Sequence, residues 1–104
     1  MGLREGGIQD RLSKVYVRDP RARRQCIKKY GARCFVCNFS FEERYGRVAK
    51  GFIHVHHVRP LSDIGGEHAV DLANLRPVCP NCHAVLHMRD PTYSIEELKA
   101  FLRP

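Results

Sequence analysis

Residues 79–87 read Cys-Pro-Asn-Cys-His-Ala-Val-Leu-His, and the architecture of the chain follows from them. Cys79 and Cys82 stand at two-residue spacing, which lets two thiolates point at one ion. The pair opens a helix expected to run to about Met88, with Pro91 closing the segment. His83 and His87 lie one turn apart on that helix and share a face. Cys82 and His83 are neighbours, about 100° apart around the axis at 3.6 residues per turn. One short helix can therefore serve a cysteine cage on one side and an imidazole cluster on the other.

Working outward, Cys34-Phe-Val-Cys37 is a second knuckle of the same spacing. Four thiolates complete the closed tetrahedral shell of a structural zinc. The interval between the two pairs exceeds that of a zinc ribbon. A strand, a loop and a returning strand account for it, because a hairpin brings the chain back near where it left. The first strand is read over 52–58 (FIHVHHV), where apolar and polar residues alternate and Pro60 ends the run. A loop follows from Ser62 to Asp71, and 72–78 returns. Alternation puts His54 and His56 on one face of the strand and His57 on the other. Five histidines in two short clusters, beside cysteines that need none of them, predict a second metal site. His68, alone in the loop, is read as an ordinary surface residue.

Residues 1–18 mix glycine and charge and read as an arm or linker, leaving 19–104 as the domain. Asp19 is placed as N-cap and Pro20 at the first turn of a helix that Gly31 stops. Ala22, Cys26, Ile27 and Tyr30 share a face of it, so the unpaired fifth cysteine, Cys26, is a core residue. Arg21, Arg23, Arg24, Lys28 and Lys29 cover the rest, as a solvated face or as phosphate contacts. Phe39, Phe41 and Tyr45 are expected to pack around the knuckle rather than to stack on bases, and 46–51 is read as a polar turn. Ser94 and Glu97 form a capping box for a last helix whose Ile95, Leu98, Phe101 and Leu102 share a face. The order helix, knuckle, strand, loop, strand, helix, helix is an α+β domain.

With 18 Lys and Arg against 11 Asp and Glu, the net charge is +7, which suits a polyanion such as nucleic acid. Met1 to Asp10 lacks the apolar core of a secretory signal, and no stretch approaches a membrane span. A cytoplasmic protein without a membrane partner is expected, with reduced thiols that favour metal over disulfide. Imidazole ligands suit a divalent transition metal, and a site with open water positions also accepts magnesium. No second carboxylate cluster is present to support a two-metal mechanism.

Three runs together resemble the HNH endonucleases: His56-His57-Val-Arg-Pro-Leu, Asn74-Leu-Arg, and the cysteine–histidine stretch 79–87, all within 34–88. The three letters map to His57, Asn74 and His83. Residues 30–57 resemble the cysteine-bearing branch found at the carboxyl end of modification-dependent restriction enzymes, and Arg4-Glu-Gly-Gly resembles the linker before such domains. The resemblance implies a small ββα-metal core with a four-cysteine structural zinc, flanking helices and metal-dependent hydrolysis of DNA phosphodiester bonds. It implies that His57 is the general base, that His56 and His83 are ligands of a catalytic Mg²⁺, Mn²⁺, Ni²⁺ or Zn²⁺, and that Asn74 braces the ββ loop and orients the base. His87 aligns with an additional histidine of the colicin-type nucleases, a further ligand or a phosphate contact. His54 stands where the family often carries an acid. Arg59 and Arg76 join Arg23, Arg24 and Lys28 as candidate DNA contacts. One site makes one cut, so double-strand cleavage calls for a homodimer or two visits, and a separate domain would read a modified base. Two other functions share these features. A non-catalytic zinc-bound DNA-binding module would have no use for His56, His57 and His83 together, whereas a toxin-type or RNA-directed nuclease would use the same site.

Overall fold

In the computed structural model of the chain, which describes residues 2, 20–59 and 71–104, helix α1 (Pro20–Tyr30) comes first. Only its predicted face leaves solvent: Cys26 is fully buried, and Ala22, Ile27 and Tyr30 are half-buried. Gly31 ends it at φ 86°, and its N–H donates to the Ile27 carbonyl at 2.7 Å. The arm 1–18, the Asp19 cap, Pro60 and the loop with His68 lie outside the described residues.

The chain then folds into the knuckle. Asn38 takes a left-handed conformation at φ 67°, its N–H donates to the Cys34 carbonyl at 2.9 Å, and the Cys34 N–H donates to the Phe39 carbonyl at 3.0 Å. After it comes a one-turn helix, α2 (Phe41–Tyr45), and a 3-10 turn, Arg47–Ala49, where the sequence reading gave packing aromatics and a polar turn. Ser40 caps α2 by accepting from the Glu43 N–H, with Glu42 and Glu43 in the first turn. A single turn is too short to show apolar periodicity. The aromatics do pack: Phe41 meets Phe39 and Phe52 edge-on at 4.8 Å each.

Strands β1 (His54–His57) and β2 (Leu75–Val78) pair antiparallel, with His54 opposite Val78 and His57 opposite Leu75. Both are shorter than expected. Before β2, Leu72–Asn74 forms a 3-10 turn because the Asp71 carboxylate accepts from the Ala73 N–H, a local bond that competes with the ladder. Cys79 then caps α3 (Pro80–Leu86), which ends two residues before Met88. Helix α4 (Ile95–Phe101) has the predicted capping box between Ser94 and Glu97. Its apolar stripe is shorter than predicted: Ile95 and Leu98 are buried, but Phe101 and Leu102 are 57% and 47% exposed. Leu102 is already extended (φ −61°, ψ 138°) and has left the helix, while Phe101, still helical, meets only the Tyr93 ring edge-on at 5.4 Å among the aromatic contacts of the described residues. Ile53, Val78 and Leu86, all fully buried, form the centre of the core with Val36, Ile95 and Leu98.

The result is the expected α+β arrangement, a ββα unit of β1, β2 and α3 with flanking helices. Among the described residues no helix is long and apolar enough to cross a membrane. Arg76 joins α1 to this unit. Its guanidinium donates to the Tyr30 hydroxyl (2.9 Å) and to the carbonyls of Ala73 (3.0 Å) and Leu75 (2.7 Å), and it lies 4.6 Å from the Tyr30 ring centroid. Replacing Arg76 by Ala should cost about 1.5–3 kcal/mol of folding stability, the loss of bonds to a charged donor. Chemical denaturation of the two proteins measures this, and an unchanged midpoint would make Arg76 a surface residue.

Candidate functional site

Each half of the cysteine set is delivered by backbone. The Phe35 N–H donates to the Pro77 carbonyl at 2.9 Å, which fastens the knuckle to β2. Cys79 follows β2 directly and Cys82 sits in the first turn of α3. The four sulfurs lie within 4.8 Å of one another, and Cys37 and Cys79 are 3.7 Å apart. A tetrahedral ion with metal–sulfur bonds near 2.3 Å needs sulfurs about 3.8 Å apart, so the set fits. N–H groups of Val36 and Cys37 point at Cys34 Sγ (3.4 and 3.5 Å), and that of Cys82 at Cys79 Sγ (3.4 Å). Burial pushes the Cys34 thiol up, but these backbone donors outweigh it and hold it below the usual thiol range. Burial drives Cys37 and Cys82 upward, with the neighbouring sulfurs adding to it. Four sulfurs so close become thiolates together only around a cation. Cys34, Cys79 and Cys82 are buried, and Cys37 is exposed.

The histidines meet on the other side of α3. His56 points inward from β1 and is 2% exposed. Its ring lies 5.3 Å from those of both His83 and His87, which are 4.9 Å from each other. One nitrogen from each of the three lies within 4.8 Å of the others. The buried His56 Nδ1 has no hydrogen-bond partner among the described residues. A buried polar atom without a partner is costly unless something else occupies its lone pair. Burial, followed by the charges of His83, His87 and His57, pushes the His56 pKa down to about 4. The ring is therefore neutral at cellular pH, the form that ligates a metal. Three imidazoles facing one point fit a divalent transition cation.

The remaining candidates divide. His57 is half-buried and follows His56 on the strand, so it faces away from the cluster. The Asn74 side chain clasps the chain just beyond β1: Oδ1 accepts from the Arg59 N–H at 2.7 Å, and Nδ2 donates to the Arg59 carbonyl at 3.0 Å. Arg24, Lys28 and Arg59 are exposed. Arg23 is exposed as well, and its guanidinium donates to the Ile53 carbonyl, tying α1 to the entrance of β1. Arg76 turns into the fold. The sequence reading left His54 without a role, yet its Nδ1 lies 3.0 Å from His83 Nδ1. Alternation had already put His54 on the face of His56; only the partner was illegible.

A family model described as HNH endonuclease matches residues 34–89. Over 88 residues the chain is 40% identical to the type IV methyl-directed restriction enzyme EcoKMcrA of Escherichia coli (strain K12). The alignment covers 83% of this chain and 30% of that enzyme, so the chain spans under a third of the relative's length.

The His56 shift has a sign that can be measured. The ring takes a proton near pH 6.5 when unfolded and near 4 when folded. Above 6.5 neither state is charged and the group has no effect. As pH falls towards 4 the unfolded state gains a proton that the folded state refuses, and stability drops by on the order of 3 kcal/mol. Thermal melts from pH 7 to 4, without added divalent metal, should fall more steeply for the parent than for His56→Asn. Parallel slopes would contradict the burial of a neutral ring.

Proposed function

The chain belongs to the HNH endonuclease family and is a nuclease, and on that footing we propose that it is the DNA-cleaving module of a cytoplasmic, modification-directed restriction enzyme. In this reading zinc on Cys34, Cys37, Cys79 and Cys82 holds the fold, and a divalent cation on His56, His83 and His87 serves catalysis. The observation that carries it is the buried, neutral His56, which gathers with His83 and His87 and whose Nδ1 has no hydrogen-bond partner among the described residues. A structural zinc module would gain nothing from leaving that atom unsatisfied.

The chain's own residues divide the chemistry. When bound, the divalent cation polarises the scissile phosphate and steadies the leaving oxygen. His57, on the opposite strand face, accepts at a ring nitrogen the proton of the attacking water. Asn74 fixes the backbone at Arg59 and so holds the end of the strand that carries His57. Arg24, Lys28 and Arg59 meet phosphates, and the net charge of +7 draws in the polyanion. Reading of a modified base falls to a domain outside these residues, a role suggested by the name of the methyl-directed relative. One histidine site makes one cut, so a double-strand break needs a homodimer or two encounters.

Purified protein should hold one tightly bound zinc, measured by elemental analysis. Cys→Ser at position 34, 37, 79 or 82 should unfold the domain or drive it to aggregate, because metal binding and folding are one free energy here. Soluble, folded variants without zinc would contradict this.

The histidine roles should separate under mutation. His83→Ala and His56→Ala should weaken binding of the added divalent cation while the zinc stays, and excess Mn²⁺ should restore part of the cleavage by mass action. His57→Ala should bind metal normally yet nick plasmid roughly 10²–10⁴-fold more slowly, with no metal rescue. Calorimetric metal titration beside plasmid and RNA cleavage tests the set. Loss of the metal in His57→Ala would overturn the assignment, and cleavage of RNA alone would move the substrate away from DNA.

A further inference from the structure

The contact between His54 and His83 allows few arrangements. Their Nδ1 atoms are 3.0 Å apart, a distance at which one must donate a proton and the other accept it. A neutral imidazole has one nitrogen of each kind. If His83 gave its Nδ1 lone pair to a cation, its proton would sit on Nε2, and neither role towards His54 would be left at Nδ1. The two rings also stand nearly perpendicular at 84°, with centroids 5.2 Å apart, so the His54 nitrogen approaches the edge of His83. His54 is half-buried and has the Phe52 ring 6.1 Å away on its own strand. It is not one of the three residues whose ligand atoms gather within 4.8 Å.

We infer that His54 is a positioning residue for the metal site: His83 Nδ1–H donates to His54 Nδ1, which turns the His83 Nε2 lone pair towards the cation. The inference rests on the histidine site proposed above. A metal-bound histidine commonly hands its second N–H to a carboxylate, a backbone carbonyl or water. This chain uses an imidazole for that purpose. Both tautomers are thereby fixed, with the His83 proton on Nδ1 and the His54 proton on Nε2. Unlike a carboxylate, His54 adds no negative charge to the cluster, so the cation keeps its full charge for the phosphate.

The test uses zinc-replete protein and Co²⁺ as the added cation, followed by calorimetry and by the visible spectrum. His54→Leu removes the acceptor and should weaken Co²⁺ binding about 10–100-fold, the usual effect of losing such a partner, without changing the coordination signature. His54→Asn places Oδ1 where Nδ1 stood and should recover most of the affinity. Leu binding as tightly as the parent would overturn the inference. So would a changed coordination signature, which would make His54 a ligand. His83→Ala in the same assay separates this from the wider reading: if it too leaves affinity unchanged, the histidine cluster is not the metal site. Should the Leu variant fail to fold, nitrogen-15 NMR of the parent with zinc at both sites decides. A proton on His83 Nδ1 and on His54 Nε2 supports the inference, and the opposite tautomers sink it.

Discussion

Bringing four cysteine sulfurs within 4.8 Å of one another joins three pieces of chain that have little else to hold them: a knuckle, a four-residue strand and a seven-residue helix. None of these is stable alone, since isolated helices shorter than about 12–15 residues are marginal in water. The Phe35 N–H to Pro77 carbonyl bond shows how the join is made, because it lays the first cysteine pair alongside the strand that leads into the second. Cys79 then does two things. Its sulfur belongs to the cage and also accepts from the Cys82 N–H, capping α3. The direction in which α3 leaves β2 is therefore set by the cage.

That direction decides where the imidazoles go. His83 follows Cys82 and His87 lies one turn on, so a helix anchored by its first turn has little freedom to choose where it points these rings. Pairing of β1 with β2 supplies the other half, placing His56 opposite Arg76 on a strand whose neighbour is already fixed. The two clusters differ in chemistry as much as in position. Thiols that burial pushes upward need a cation before they ionise together, whereas burial leaves His56 neutral and ready to ligate. Low local dielectric thus acts on both clusters, withholding charge from the first and preparing a lone pair in the second.

Patterns with a short period were legible in the sequence. Two-residue cysteine spacing, strand alternation in 54–57, the i to i+4 histidine pair and the Ser94–Glu97 box each depend on local geometry, and each gave the right neighbours. Shapes decided by one side chain were not. The turn at Leu72–Asn74 hangs on the Asp71 carboxylate, and Leu102 drops out of the α4 stripe because the backbone extends there. Arg76 shows the largest gap. A positive residue beside the motif of a basic chain reads as a phosphate contact, and nothing local says that Tyr30, far back in the chain, offers it a hydroxyl and a ring face. The approach of His54 to His83 was hidden for the same reason: it depends on how two distant segments are rotated against each other.

Asn74, Leu75 and Arg76 show what that part of the motif is for. Arg76 holds α1 through Tyr30, Leu75 is 2% exposed beneath β1, and Asn74 bonds both backbone groups of Arg59. The Val58 N–H adds a bond to the Asn74 carbonyl at 2.8 Å, so the two sides of the hairpin are clasped just past His57. That clasp, made by the Asn74 side chain and backbone together, sets the position of the strand end that carries His57.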